Sequence, residues 1–189
     1  MTDVWTTDRN PWRNYQATLR SLLASDATHG VVLQDDVVVC RNFAPAVEQI
    51  AQANPDTPVC LFLGGLPQRT GRNALRAAKM GYSYCDVYFR DFCPVVAMLW
   101  PKHKAQEFMD WAGEAPSLPG YLHPRSDDAV VGRWMVATKQ LIRATVPSLV
   151  EHEDMVPSLI GRPARFGKDR GRVARMFIGD ADPLQIDWS

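Results

Sequence analysis

Two pairs of adjacent carboxylates, one histidine set among acids and one basic stretch carry most of the chemistry open to this chain. Asp35-Asp36 follows the apolar run Gly30-Val31-Val32-Leu33 and one glutamine, a pattern that reads as a buried strand ending in acids. Ionised carboxylates beside a buried run are costly unless a cation pairs with them. A divalent ion meets that need, because Mg²⁺ or Mn²⁺ takes one or two carboxylates together with phosphate oxygens and water. A surface turn closing the strand, where Asp is common, accounts for the same two residues. Asp127-Asp128 opens a helical pattern after Ser126. Free backbone N–H groups and the helix dipole favour anions there, which is reason enough for one of the pair. His152 lies in Glu151-His152-Glu153-Asp154, just after Val146-Pro147-Ser148-Leu149-Val150, and reads either as a surface histidine or as a metal ligand. Between Arg162 and Arg175, six of fourteen residues are basic and one is acidic; that is a solvated tail or a cationic loop able to clamp phosphate.

Alternating helical and strand patterns must position these groups. Asn10-Pro11 has the form of a helix start, and Trp12, Tyr15, Leu19, Leu22 and Leu23 recur at helical spacing to about Ser25. A strand over 30–34 follows, then a helix near 43–53, and Val59-Cys60-Leu61-Phe62-Leu63 is a second buried strand stopped by Gly64-Gly65. The Gly- and Arg-rich segment 66–73 predicts a loop, with a short helix near 74–80 and a strand-like stretch over 82–90. The apolar run from Cys93 to Trp100 is a further strand closed by Pro101. A helix near 102–112, a Pro/Gly loop over 113–126, a helix near 129–135 and a strand near 141–145 complete the order. Such alternation predicts one α/β domain with a mixed, mostly parallel central sheet flanked by helices.

Composition sets the outer bounds. The 189 residues suit one well-packed domain, and 46% hydrophobic with 22% charged residues is ordinary for a globular protein. Zero formal net charge gives no global field toward nucleic acid or an acidic membrane. No apolar run approaches membrane-spanning length, and the N-terminus lacks signal-peptide character. Cys40, Cys60, Cys85 and Cys93 show no C-x-x-C spacing, which predicts buried free thiols in a reducing cytoplasm rather than a zinc site.

A strand ending in Asp-Asp, a helix opening on Asp-Asp, and a late Pro-Ser-Leu-Val-x-His followed by basic residues occur in that order. The chain in this respect resembles glycosyltransferases of the GT-A fold (Rossmann-like). Within them it resembles the lipopolysaccharide-type family, whose acidic motif has the form Leu-Glu-Asp-Asp-Val, and small phage and actinobacterial relatives. The motif here is Leu33-Gln34-Asp35-Asp36-Val37, and the resemblance covers roughly residues 12 to 160. It implies a metal-dependent transfer of a sugar, hexosyl in type, from a nucleotide-diphosphate donor such as a UDP-sugar to an acceptor hydroxyl. Asp36 would be the principal ligand of Mn²⁺ or Mg²⁺, His152 a further ligand, and Asp35 a contact to the donor ribose or sugar. Asp128, or else Asp127, would be the catalytic base, with Lys168 and Arg170 on the diphosphate. Gln34 replaces the usual acid at the motif's first position.

The resemblance also implies a GT-A-like domain over residues 1–161, with 162–189 a basic loop and tail packed on it. GT-A domains open with a strand and helix that hold the nucleotide base, so this chain reads as N-terminally abbreviated, with Asp8 a remnant of the base- or ribose-binding loop. A truncated sheet leaves an edge that favours a homo-oligomer. Two other readings use the same residues. A non-catalytic nucleotide- or metal-binding module keeps the acids and needs no base. A nucleic-acid-acting protein uses the basic stretch on phosphates, and merges with the first reading if the acceptor is a hydroxymethylated base in phage DNA.

Overall fold

A computed structural model describes residues 11–64, 69–88, 95–114, 127–152, 173–174 and 176–189. Helix α1 (Pro11–Leu23) starts on its proline and buries Tyr15 and Leu19. Strand β1 (His29–Leu33) leads through a turn at Asp35-Asp36 into a short strand β2 (Val37–Val39) and then helix α2 (Phe43–Ala53). Strand β3 (Val59–Cys60), helix α3 (Arg69–Met80) and strand β4 (Tyr84–Asp86) follow. Strand β5 (Ala97–Pro101) runs directly into helix α4 (Lys102–Glu114). Helix α5 (Asp127–Thr138), strands β6 (Arg143–Thr145) and β7 (Val150–His152), and a 3₁₀ turn at Pro183–Gln185 complete the described chain.

The fold is the expected mixed α/β domain, but its strand directions correct the expectation of a mostly parallel sheet. Five strands pair in the order β1-β5-β3-β6-β4, and β2 pairs with β7 in a separate two-stranded ribbon. Only β3 and β6 pair in parallel; β1–β5, β3–β5 and β4–β6 are antiparallel. It follows that β1, β3 and β6 point the same way, as helical crossovers require, whereas β5 slides between β1 and β3 in the opposite sense. Sequence alternation sets the order of elements along the chain and leaves open which strand fills which slot. The continuous apolar run of β5 explains its place: every residue from Ala97 to Pro101 is buried, as suits a strand covered on both faces and hydrogen-bonded on both edges.

Other elements depart from the sequence pattern for local reasons. Helix α3 begins at Arg69, inside the segment predicted as a loop. Its buried face is made of small residues, Thr70, Gly71, Ala74 and Ala77, so Gly71 is a packing position rather than a turn. Gly81, at φ +75°, ends this helix in the left-handed conformation. The predicted strand 59–63 pairs as a ladder only over Val59–Cys60, although Leu61 still donates its N–H to the Ala97 carbonyl at 2.9 Å.

Cys40, Cys60 and Cys85 are buried free thiols. Ala144 of β6 faces Cys60 on one side and Cys85 on the other. The two α-carbons therefore sit two strand spacings apart, about 10 Å, beyond the Cα separation a disulfide spans. Burial pushes the Cys85 thiol up to about 12, which keeps it protonated and unreactive. No helix among the described residues is long and apolar enough to cross a membrane.

The aromatic residues form the core that fixes the helices. Trp100 stacks on Phe108 at 5.2 Å, and Trp134 meets both rings at 5.5 and 5.3 Å. Trp100 and Trp134 are fully buried. Trp100 Nε1–H donates to the Tyr15 hydroxyl at 2.8 Å inside this core. Tyr15→Phe keeps the ring and removes that acceptor, leaving a buried N–H to be desolvated. The expected loss is about 1–3 kcal/mol of unfolding free energy, read by urea denaturation as a lower midpoint at unchanged slope.

Candidate functional site

The sheet carries its chemistry at the end where β1, β3 and β6 finish, the end at which open α/β sheets place ligands. The β1 ladder closes with the Gln34 N–H on the Val96 carbonyl at 2.9 Å, and the next two residues turn the chain away from the sheet. Asp35 is exposed and Asp36 half-buried, so the turn separates two carboxylates that the sequence leaves equivalent. The following valines form β2, which pairs antiparallel with β7 so that Val37 faces His152. That register brings Asp36 Oδ2 to 3.1 Å from His152 Nε2. The histidine is 5% exposed and packs its ring against Phe62 with centroids 6.5 Å apart. The surface-histidine reading is thereby excluded. His152 Nδ1 is also buried and has no hydrogen-bond partner among the described residues.

The chain reaches this position by crossing the ends of the central strands. After β6 it runs past β3, where Leu149 donates its N–H to Leu61 at 3.0 Å and Ser148 Oγ accepts the Leu63 N–H at 2.8 Å. Leu149 also accepts the Cys40 N–H at 3.0 Å, which ties the end of β2 to the same segment. Ser148 in turn exchanges backbone hydrogen bonds with Met176 and Ile178. The ribbon that holds Asp36 and His152 is thus braced by β3 on one side and by the C-terminal segment on the other.

The pair's spacing fits neighbouring ligands of a divalent ion as well as a direct hydrogen bond. Two ligand atoms each at about 2.1 Å from an octahedral ion, at right angles, lie about 3.0 Å apart, close to the 3.1 Å seen between Asp36 and His152. The carboxylate oxygen suits Mn²⁺ and Mg²⁺, whereas the imidazole nitrogen is a donor that hard Mg²⁺ disfavours, so the mixed pair fits Mn²⁺ better. Two protein ligands leave the remaining positions to water and phosphate, the pattern usual for ions that bind with a phosphorylated substrate. Among the described residues no group of three or more His, Cys, Asp or Glu side chains gathers at one point. Without an ion, the contact stands as a buried carboxylate–imidazole hydrogen bond.

The second acidic pair divides into two distinct environments. Asp127 is 7% exposed, and its Oδ1 accepts the Asp128 N–H at 3.0 Å in the first turn of α5. Burial raises its pKa, and the backbone N–H groups of Asp128 and of Asp127 itself only partly offset that. Asp128 is half-buried, and its Oδ1 accepts the Val95 N–H at 2.8 Å. Val95 adjoins Val96, the residue hydrogen-bonded to Gln34, so this carboxylate lies at the same end of the sheet as Asp36. Asp8, Lys168 and Arg170 lie outside the described residues.

Two residues here escape sequence reasoning. Glu151 reads in the sequence as one of several acids around His152, yet its Oε1 accepts both the His152 N–H at 2.9 Å and the Ala174 N–H at 2.6 Å. Phe62 reads as core and turns out to wall the histidine. Strand alternation through Val150-Glu151-His152 is the signal that could have exposed β7, but three residues are too few to establish a period. No protein-family model and no curated protein matches this chain.

Asp127 gives a test through pH. Its folded pKa stands above the unfolded value of 3.8, so from that value upward the native state holds the proton more tightly than the unfolded chain. Stability therefore falls as pH rises through this window. Asp127→Asn retains an oxygen for the Asp128 N–H and removes the buried charge. The variant should unfold at a higher temperature than wild type at pH 7, with the difference shrinking toward pH 4; equal melting curves across that range would refute the assignment.

Proposed function

We propose that this chain is a metal-dependent glycosyltransferase acting on a nucleotide-diphosphate sugar. The observation that carries the reading is the 3.1 Å approach of Asp36 Oδ2 to His152 Nε2 at the ligand-binding end of the sheet. These two side chains, distant in sequence and mostly withdrawn from water, have the spacing of neighbouring ligands on one divalent ion. The resemblance of Leu33-Gln34-Asp35-Asp36-Val37 to the acidic motif of lipopolysaccharide-type glycosyltransferases points the same way.

In this reading Asp36 and His152 would hold Mn²⁺ or Mg²⁺, which would supply positive charge to a departing diphosphate. A charge stabilised more in the transition state than in the bound donor accelerates the bond-breaking step. Asp35, exposed beside the site, contacts the donor's ribose or sugar, and Lys168 and Arg170 add positive charge near the phosphates. Asp128 takes the proton from the acceptor hydroxyl. Its hydrogen bond from Val95 holds the carboxylate in place. Catalysis then depends on close placement of the acceptor hydroxyl beside it.

That same Val95 contact supports a second reading, a nucleotide-binding module in which Asp128 only fastens α5 to the start of β5. Three substitutions test the readings. Asp36→Asn and His152→Gln should each weaken Mn²⁺-dependent binding of UDP by about tenfold or more, since loss of even an outer partner of a metal site costs 10–100-fold. Asp128→Asn should leave that binding close to wild type while lowering transfer by about 10²-fold or more, measured as release of UDP with an identified donor and acceptor. Metal-independent binding of UDP in all variants would sink the first reading. Transfer unaffected by Asp128→Asn would remove the base.

A further inference from the structure

Resting on that reading of the site, we infer that Glu151 is a positioning residue that sets His152 for the metal. The geometry is specific. One carboxylate oxygen, Oε1, accepts the backbone N–H of His152 at 2.9 Å and that of Ala174 at 2.6 Å. Ala174 forms a bridge with Gly64, two residues beyond Phe62, and Phe62 packs on the His152 ring. Glu151 therefore joins three segments around one imidazole: β7 itself, the extended stretch that follows β3, and the chain returning at Val173–Ala174.

The two N–H groups are the reason a carboxylate belongs here. Glu151 faces Val38 across the ribbon, and Val38 is 47% exposed, so an apolar residue at 151 would suit the pairing as well. A carboxylate that accepts two backbone N–H groups gains charge-assisted hydrogen bonds, roughly twice as strong as neutral ones. It fixes the His152 backbone at the residue whose Nε2 meets Asp36. Removing this brace frees β7 at its last described residue. The imidazole then loses its set distance to Asp36 while both ligand side chains remain present.

The test uses the full chain with Mn²⁺ alone and three substitutions. Glu151→Ala removes the acceptor, and Glu151→Asp keeps the charge but is one methylene too short to reach both N–H groups. Glu151→Gln keeps an oxygen at the same reach. We expect Mn²⁺ affinity, read by electron paramagnetic resonance, to fall by about tenfold in the Ala and Asp variants and by clearly less in the Gln variant, which keeps the reach and loses only the charge. The side-chain ¹⁵N resonances of His152, identified by their loss in His152→Gln, should move in the Ala and Asp variants and not in Gln, without added metal. The Asp variant carries the test where the Ala variant does not fold. Unchanged resonances in Ala and Asp, or equal displacement in all three, would overturn the inference. If the wild-type chain binds no Mn²⁺, the proposed function fails by itself, and the resonances still decide the role of Glu151.

Discussion

His152 and Asp36 meet in a part of the molecule that neither residue's own neighbourhood can build. A carboxylate and an imidazole held this close, with the histidine almost wholly buried, depend on two three-residue strands pairing across the chain. An isolated two-stranded ribbon of that length is not stable in water. The ribbon exists because the chain after β6 is captured by the extended end of β3 through Leu149 and Ser148, and because Cys40 is fastened to Leu149. Burying these polar groups is tolerable only while they remain paired, since an ion left without its partner in such a place costs several kcal/mol. Positions of β3, the segment 146–149 and the ribbon are therefore mutually dependent.

The central sheet supplies the rigidity for this arrangement. By inserting between β1 and β3 in the opposite sense, β5 brings its first residues beside the last residues of β1. Gln34 bonds Val96, Val95 bonds Asp128, and so the turn that carries Asp36 and the first turn of α5 are linked by one short run of backbone. A parallel β5 would place its amino end at the opposite end of the strands and take Asp128 with it. The rings of Trp100, Phe108 and Trp134 then pin α4 and α5 against the sheet. These rings hold the helix that bears the candidate base, as large rings bury much area wherever they lie.

Long elements with a clear period were legible from the sequence: α1, α2 and α4 fall close to their expected bounds, as does β1. Strand directions were not, since helical crossovers fix the sense of β1, β3 and β6 without excluding an antiparallel strand between them. The start of helix α3, expected only from residue 74, was hidden because its buried face there consists of Thr70 and Gly71, which carry no apolar period. Asp36 and His152 could both be singled out by residue type and surroundings, but the ribbon joining them could not. Val37-Val38-Val39 reads as a continuation of one apolar stretch, and the pairing that gives it meaning lies more than a hundred residues away. Glu151 was concealed for a similar reason: its two donors are backbone groups, which leave no mark in the sequence.

The C-terminal segment shows how far the site's support extends. Asn42, just before α2, adopts a left-handed conformation at φ 52° and makes no side-chain cap bond to its own helix. Its amide donates instead to Asp182 Oδ1 at 3.1 Å, and Asp182 also accepts the Leu184 N–H and lies 3.4 Å from Arg41. The Asn42 hydrogen bond, then that of Leu184, hold the Asp182 carboxyl below its ordinary range. This anchor is therefore strongest above the usual carboxylate pKa and is lost as pH falls through the lowered one. Farther on, Trp188 is buried, its carbonyl accepting the Tyr84 hydroxyl proton at 3.0 Å on the edge strand β4. The same segment begins at Ala174, Met176 and Ile178, bonded to Glu151 and Ser148. One stretch of chain thus binds the ribbon at its start, the entrance to α2 in its middle and the far edge of the sheet at its end. The position of His152 is in this way coupled to residues that never approach it.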